Sequence, residues 1–230
     1  MIRIRNVWKK YSKSQVFHRS LREDILNIFK SNNDSEIREN EFWALQNITF
    51  DVKNGECVGL YGPNGSGKTT ILKIIANVTY PTKGSVLTDG KVVPLLQKGA
   101  GFHMDLTGRE NIYVNAAILG MSIWEIRKRI PEIIEFSEIG EFIDLPVKKY
   151  SSGMRVRLGF SVAIHSEADI FLMDEILAVG DESFREKCMA KIKDLKEQNK
   201  TMIIVTHNFR QMQVVADRIL FIDKGRINIK

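Results

Sequence analysis

At 230 residues the chain has room for one substantial domain or two intimate lobes, and not for two independent domains. A composition of 43% hydrophobic and 27% charged residues is that of a globular protein; no run reaches the roughly 18–20 apolar residues of a membrane span, and the alternating start Met1-Ile2-Arg3-Ile4-Arg5 lacks the layout of a signal peptide. The formal charge of +6, from 34 Lys+Arg against 28 Asp+Glu, fits nucleic acid or anionic headgroups but first of all a merely solvated surface, and it selects no partner.

In chain order, residues 2–8 alternate through Ile2, Ile4, Val7 and Trp8 and predict a strand. A second alternating stretch, Ile48, Phe50 and Val52, ends at the turn dipeptide Asn54-Gly55. Residues 56–61 form a short apolar strand that runs into glycines, and 68–78, with Ile71, Leu72, Ile74 and Ile75, reads as a buried helix. After Pro81-Thr82-Lys83-Gly84, residues 85–88 and 92–96 flank Asp89-Gly90 and read as a hairpin. From residue 99 to 150 the texture is helical, with segments at 109–119, 123–130 and 131–136, Pro131 suiting a first helical turn. Strand and helix then alternate through 154–164, 170–173, 184–198, 201–205, 209–216 and 218–222, which predicts a parallel sheet covered on both faces. The two cysteines, Cys57 and Cys188, fall in a strand and a helix and read as free buried thiols in a reducing cytosol.

One segment stands outside this alternation. Between Tyr11 and Leu45 a helical stripe of Leu21, Ile25, Ile28 and Phe29 opposes Arg22, Asp24 and Asn27, and residues 31–41 are polar. An amphipathic helix wedged between two strands needs a surface to pack on: its own core, a partner or a membrane.

Gly62-Pro63-Asn64-Gly65-Ser66-Gly67-Lys68-Thr69 matches G-x-x-x-x-G-K-[ST] in full, after a strand and before a helix. Polyphosphate needs several backbone N–H donors converging on it, glycines let the backbone curl that tightly, and the helix start presents its positive end. Lys68 is placed to reach the β- and γ-phosphates, the Thr69 hydroxyl to complete a Mg²⁺ shell, and Thr70 to contact the α-phosphate side. Further on, Ile170-Phe171-Leu172-Met173 ends in Asp174-Glu175. A buried strand stopping at an acid puts a carboxylate at the sheet edge, suiting Asp174 to Mg²⁺ and Glu175 to polarising an attacking water.

Three more features carry a family resemblance. Tyr150-Ser151-Ser152-Gly153-Met154 lies where ABC ATPases have their LSGGQ-like signature; Asp181 holds the D-loop position; and His207, after Ile203-Ile204-Val205-Thr206, holds that of the switch histidine. Over about residues 1–11 and 45–230 the chain resembles an ABC nucleotide-binding domain. Ser152 replaces the usual Gly and Met154 the usual Gln, which removes one polar contact. Gly99-Ala100-Gly101-Phe102-His103, Leu106-Thr107-Gly108-Arg109-Glu110-Asn111 and the run from Asp174 to Asp181 are similar to the ATPases that export bacterial O-antigen, capsule and teichoic acid, as is the insertion at about 12–44.

The resemblance implies an α/β P-loop NTPase of the ABC ATPase fold: a mixed, largely parallel core sheet, an antiparallel β subdomain and a helical subdomain. One nucleotide-binding domain would span 1–230, with the β-rich core in 1–98 and 155–230 and the helical part in 99–154. It implies ATP and Mg²⁺ as cofactors; Glu175, His207 and Lys68 in catalysis; Tyr11 on adenine, with Phe17 and Trp43 as rivals; and Gln97 as the Q-loop residue beside Thr69 and Asp174 at the metal. Ser151 and Ser152 read as N-caps of a second anion-binding helix start. The family resolves the duplication by pairing two chains head-to-tail, so that Ser151, Ser152, Gly153 and Asp181 of one face the nucleotide of the other. It further implies a separate transmembrane permease, a polysaccharide handled indirectly, no nucleic acid, and a peripheral place on the cytoplasmic face of the inner membrane. Some members add a C-terminal carbohydrate-binding domain, for which these 230 residues have no room. The alternatives are an ABC ATPase of a non-transport class working on nucleic acid or ribosomes, the ATPase of another ABC transporter, and a non-catalytic nucleotide sensor. The first usually has two cassettes or a long coiled coil, and Glu175 with His207 argues against the last.

Overall fold

In the computed structural model, residues 1–13, 40–95, 101–174, 181–206 and 208–228 are described. Two alternating segments build a small antiparallel sheet. β1 (Ile2–Ser12) buries Ile2, Ile4 and Val7, β2 (Glu41–Val52) buries Leu45, Ile48, Phe50 and Val52, and β4 (Lys83–Thr88) pairs with the free side of β1. The β1–β2 register slips where Asn6 (φ 48°) and Asn47 (φ 55°) take left-handed backbone, a conformation asparagine tolerates better than most residues. β2 starts well before Ile48 and β1 runs to Ser12, so the ribbon claims both flanks of the segment read from sequence as an insertion.

The main sheet has six strands. Its order is β5 (Val92–Leu95), β6 (Ile170–Asp174), β7 (Thr201–Val205), β3 (Cys57–Tyr61), β8 (Arg218–Asp223) and β9 (Arg226–Asn228), parallel except for the β8–β9 hairpin. Its central strands are buried on both faces, hence their unbroken apolar runs. Val58, Leu60, Ile170, Leu172, Ile203 and Val205 face the small sheet and α1 (Lys68–Ile75). Their neighbours Cys57, Phe171, Met173, Met202 and Ile204 face α5 (Glu182–Glu197) and α6 (Phe209–Val215). Both cysteines are free and buried in this second core, where burial pushes each thiol up to about 12.

A third core belongs to α2 (Gly108–Ile118), α3 (Ile123–Ser137) and one face of α4 (Ser152–Ile164). Thr107 with Glu110, and Ser122 with Glu125, close capping boxes that start α2 and α3. Leu158 and Val162 of α4 join this core, while Phe160, Ala163 and Ile164 join the second, so one helix welds the helical part to the sheet.

Three expectations need correction. Residues 85–88 and 92–96 do not form a hairpin: β4 pairs with β1 in the small sheet, and β5 pairs with β6 in the large one. The switch is made at Gly90 (φ 111°), packed against Asp169, whose carboxylate accepts the Lys91 N–H at 2.8 Å and draws the chain beside β6. Residues 123–130 and 131–136 are one helix with Pro131 inside, its ring on the exposed side, because the buried stripe of Ile126, Ile130, Ile133 and Phe136 continues through it. β9 lies beyond the last predicted strand and closes a hairpin through Lys224 (φ 46°) and Gly225 (φ 75°).

Candidate active site

The loop after β3 is held tight from three sides. At Gly62 an added Cβ would collide with the Ile222 carbonyl oxygen, and at Gly67 (φ 108°) it would lie 2.6 Å from Leu45 Cδ2 and 2.8 Å from the Ala44 oxygen. Within the loop, the Ser66 N–H donates to the Pro63 carbonyl at 3.2 Å. The β8–β9 turn braces it from outside: Gly225 N–H donates to Ser66 O at 2.9 Å, and Gln46 N–H of β2 to Gly225 O at 2.7 Å. Lys68 is 5% exposed and its ammonium donates to the carbonyls of Gly62 (2.8 Å) and Pro63 (2.9 Å), folding the cation across the curl. α1 has Gly67 at its N-cap, with no side-chain cap and no acid in its first turn, so its leading N–H groups and dipole are left for an anion. The Ser66 hydroxyl is buried there without a hydrogen-bond partner among the described residues.

β6 lies two places from β3, across β7, and ends at Asp174. The Thr69 hydroxyl on α1 donates to Asp174 Oδ2 at 2.7 Å, joining residues 105 apart in sequence. A hydroxyl and a carboxylate in contact, beside an anion cradle, form an all-oxygen donor set that fits a hard divalent cation such as Mg²⁺. Gln97, Glu175 and His207 lie outside the described residues. The strands preceding them, β5, β6 and β7, run parallel and side by side, so all three carboxyl ends reach the sheet edge that carries the loop after β3.

A cavity of about 270 Å³ opens beside the curl, lined by Asn64, Gly65, Gly67, Lys68, Thr69 and Thr70 on one side and by Tyr11, Phe42 and Ala44 on the other. Tyr11 and Phe42 are cross-strand partners with ring centroids 6.2 Å apart, and Lys9 Nζ stands 5.1 Å from the Tyr11 ring centre. Of the two rival aromatics, Trp43 packs edge-on against Trp8 at 5.3 Å, away from the cavity, and Phe17 lies outside the described residues. Phe42, 44% exposed, was not singled out from sequence. Its signal was the alternation itself, which sends Phe42 and Ala44 to one face of β2 and Trp43 and Leu45 to the other.

The signature residues occupy a different recess. Ser151 is the N-cap of α4, its Oγ accepting the Met154 N–H at 3.1 Å, with Ser152 in the first helical position. Ser151, Gly153, Met154, Arg157, Asp181, Glu138, Ile139 and Phe142 line a space of about 420 Å³ that shares no residue with the first cavity. Asp181 is also an N-cap: its Oδ1 accepts the Phe184 N–H and the Ser183 hydroxyl, both at 3.0 Å. The first of these bonds, more than the second or the nearby Arg157, holds its carboxyl below the ordinary range. Within one chain, then, Tyr11, the glycine loop, Thr69 and Asp174 converge, and Ser151, Gly153 and Asp181 are kept apart from them.

A central parallel strand entering a lysine-bearing glycine curl, with an acid-ended strand two places away, defines an α/β nucleotide-binding ATPase of the P-loop class. The profile described as ABC transporter matches residues 45–178, and the chain belongs to that family as an ATP-binding cassette ATPase. It is 47% identical over 191 residues to an O-antigen export system ATP-binding protein of Klebsiella pneumoniae, covering 83% of this chain and 78% of that protein. It is 41% identical over 224 residues to a teichoic acids export ATP-binding protein of Listeria innocua, covering 97% of this chain and 66% of that one. Among solved structures it superposes on the ATP-binding cassette MJ0796, a dimer in a post-hydrolysis state bound to ADP and Pi, with a TM-score of 0.79 and 26% identity over 100% of this chain and 97% of that one.

Proposed function

We propose that this chain is the ATP-hydrolysing subunit of an exporter of lipid-linked surface polysaccharide, acting as a homodimer beneath a separate permease on the cytoplasmic face of the bacterial inner membrane. The relatives named for O-antigen and teichoic acid export support the cargo class, and the dimeric cassette it superposes on supports the assembly. The observation that carries the ATPase reading is the 2.7 Å contact from Thr69 to Asp174 at the mouth of the glycine loop.

In this reading the loop N–H groups of residues 62–70 and the α1 dipole hold the β- and γ-phosphates, and the Lys68 ammonium swings from the loop carbonyls onto them. Tyr11 and Phe42 take the adenine between β1 and β2. Thr69, Asp174 and Gln97 would hold Mg²⁺, which neutralises charge on the phosphate oxygens. Glu175 polarises the attacking water, and His207 meets the γ-phosphate at the neighbouring strand end. Ser151, Ser152, Gly153 and Asp181 of the partner subunit close the site, so the γ-phosphate is gripped only in the dimer. Closure then drives the permease because ATP binds the closed state better than the open one. The single domain keeps the β-rich core at 1–98 and 155–230, with 99–154 as the arm that reaches the permease.

The test is phosphate release by the purified chain. Glu175→Gln should bind ATP normally and turn over about 10²–10⁴-fold more slowly, and Lys68→Ala should lose ATP affinity. Near-normal turnover in the first variant removes Glu175 as the base, and unchanged affinity in the second removes the cradle. Pull-down from native membranes identifies the permease; a partner of importer type would overturn the export reading.

A further inference from the structure

Arg157 joins three helices at one point. It lies on α4, behind the Ser151 cap. One guanidinium nitrogen donates to Glu138 Oε2 at 2.6 Å, and the other to Asp181 Oδ2 at 2.7 Å. The guanidinium stands 4.7 Å over the centre of the fully buried Phe184 ring, leaving the side chain 17% exposed. Glu138 is the left-handed C-cap of α3 (φ 57°) and also accepts Lys187 Nζ of α5 at 3.1 Å, while Asp181 caps the start of α5. The end of α3, the body of α4 and the head of α5 are therefore tied through one planar fork.

As a stabilising pair this adds little, because Glu138 and Asp181 are 41% and 62% exposed and water screens them. Its place matters more. Glu138 and Asp181 line the same recess as Ser151 and Gly153, so two carboxylates border the space that the proposed homodimer assigns to the partner's γ-phosphate. An arriving anion meets them as like charges unless a cation stays between. A fixed guanidinium also keeps the Asp181 cap in register with the Ser151 cap.

We propose that Arg157 is a positioning residue that locks Asp181 to the signature turn of Ser151 and Gly153 and screens the recess acids, so that the recess accepts the γ-phosphate held by a second copy of this chain. The inference rests on the ATPase homodimer proposed above. It acts on closure and not on nucleotide capture, since Arg157 touches none of the residues around the glycine-loop cavity.

Arg157→Met and Arg157→Lys are compared with wild type in three measurements: affinity of the isolated chain for a fluorescent ATP analogue, ATP-induced dimerisation in a Glu175→Gln background, and steady-state turnover. Losing two charge-assisted bonds in Arg157→Met should lower kcat and weaken dimerisation about tenfold or more, with ATP affinity and thermal midpoint unchanged. Arg157→Lys, which keeps the charge and loses the fork, should recover part of both. In Arg157→Met, adding Glu138→Gln should restore part of the ATP-induced dimerisation by removing one repelling charge. Wild-type turnover and dimerisation in Arg157→Met overturn the inference, as does an equal loss of ATP affinity, which would mean general damage. Should Arg157→Met fail to fold, Arg157→Lys decides alone: full wild-type behaviour or lost ATP affinity overturns the inference, and reduced dimerisation at normal affinity supports it. A wild-type chain that neither hydrolyses ATP nor dimerises with it defeats the proposed function instead.

Discussion

Gly108 and Tyr150 share one volume. A Cβ on Gly108 would sit on the Tyr150 hydroxyl, which donates to the Phe142 carbonyl at 2.7 Å and pins the residue preceding the Ser151 cap. Tyr150, just ahead of the Ser151 cap, therefore requires a glycine at the start of α2. Gly108→Ala should cost about 1–3 kcal/mol through overpacking, seen as a lowered unfolding midpoint, and Tyr150→Phe in the same chain should return part of it. A Gly108→Ala chain as stable as wild type would refute the contact. Both segments were legible as motifs, yet nothing in either announces that they touch. Asn111 is a parallel case: it is fully buried because its side chain takes the His103 N–H at 2.7 Å and donates to the carbonyls of His103 (3.0 Å), Leu106 (3.2 Å) and Thr107 (2.9 Å), organising the approach to α2.

At the level of elements, the β1–β2 ribbon brings two separated stretches of the chain together. Ser12 pairs with Glu41 and the Lys13 N–H donates to the Asn40 carbonyl at 2.6 Å, so the two ends of the 14–39 segment are already neighbours. Replacing 14–39 by an Asn-Gly turn should shift the melting temperature by no more than about 4 °C, the effect of roughly 1 kcal/mol in a chain of this size. ATP binding should survive, because Tyr11 and Phe42 keep their register; its loss would show that the segment supports the cavity. The same ribbon explains why Phe42 escaped notice. Alternation tells which face a side chain takes, but the cavity exists only once β1, β2 and the glycine loop are brought together. The misassigned hairpin at 85–96 has the same cause: adjacent strands in sequence read as partners, while the tertiary fold sent β4 and β5 to different sheets.

Across the whole molecule, ionisation lowers stability on the acid side through one histidine and several carboxylates. His165 caps α4, its Nδ1 2.8 Å from the Ser161 carbonyl, and burial lowers its pKa. The unfolded chain thus takes up that proton first, so stability is intact above about pH 6.5 and falls as acid is added. Asp51 held by Arg5, Asp144 held by Arg109, and Asp181 capping α5 have lowered values too; their contributions are present above about pH 4 and disappear below it. Melting temperature should therefore be flat at pH 7–8 and fall in two stages on acidification, with His165→Gln flattening the first. A midpoint that rises between pH 7 and pH 5 would contradict the assignment. The amino-acid sequence by itself determined the chemistry that is local: the glycine curl with its lysine, the acid at a strand end, the Ser151 cap, the alternating burial of β1 and β2 and the unbroken apolar runs of the central strands, each set by residues within a few positions of one another. Only the tertiary structure decided which strands pair, which aromatic joins Tyr11, and that Thr69 meets Asp174 across 105 residues, because those outcomes depend on packing between distant segments that no local pattern encodes.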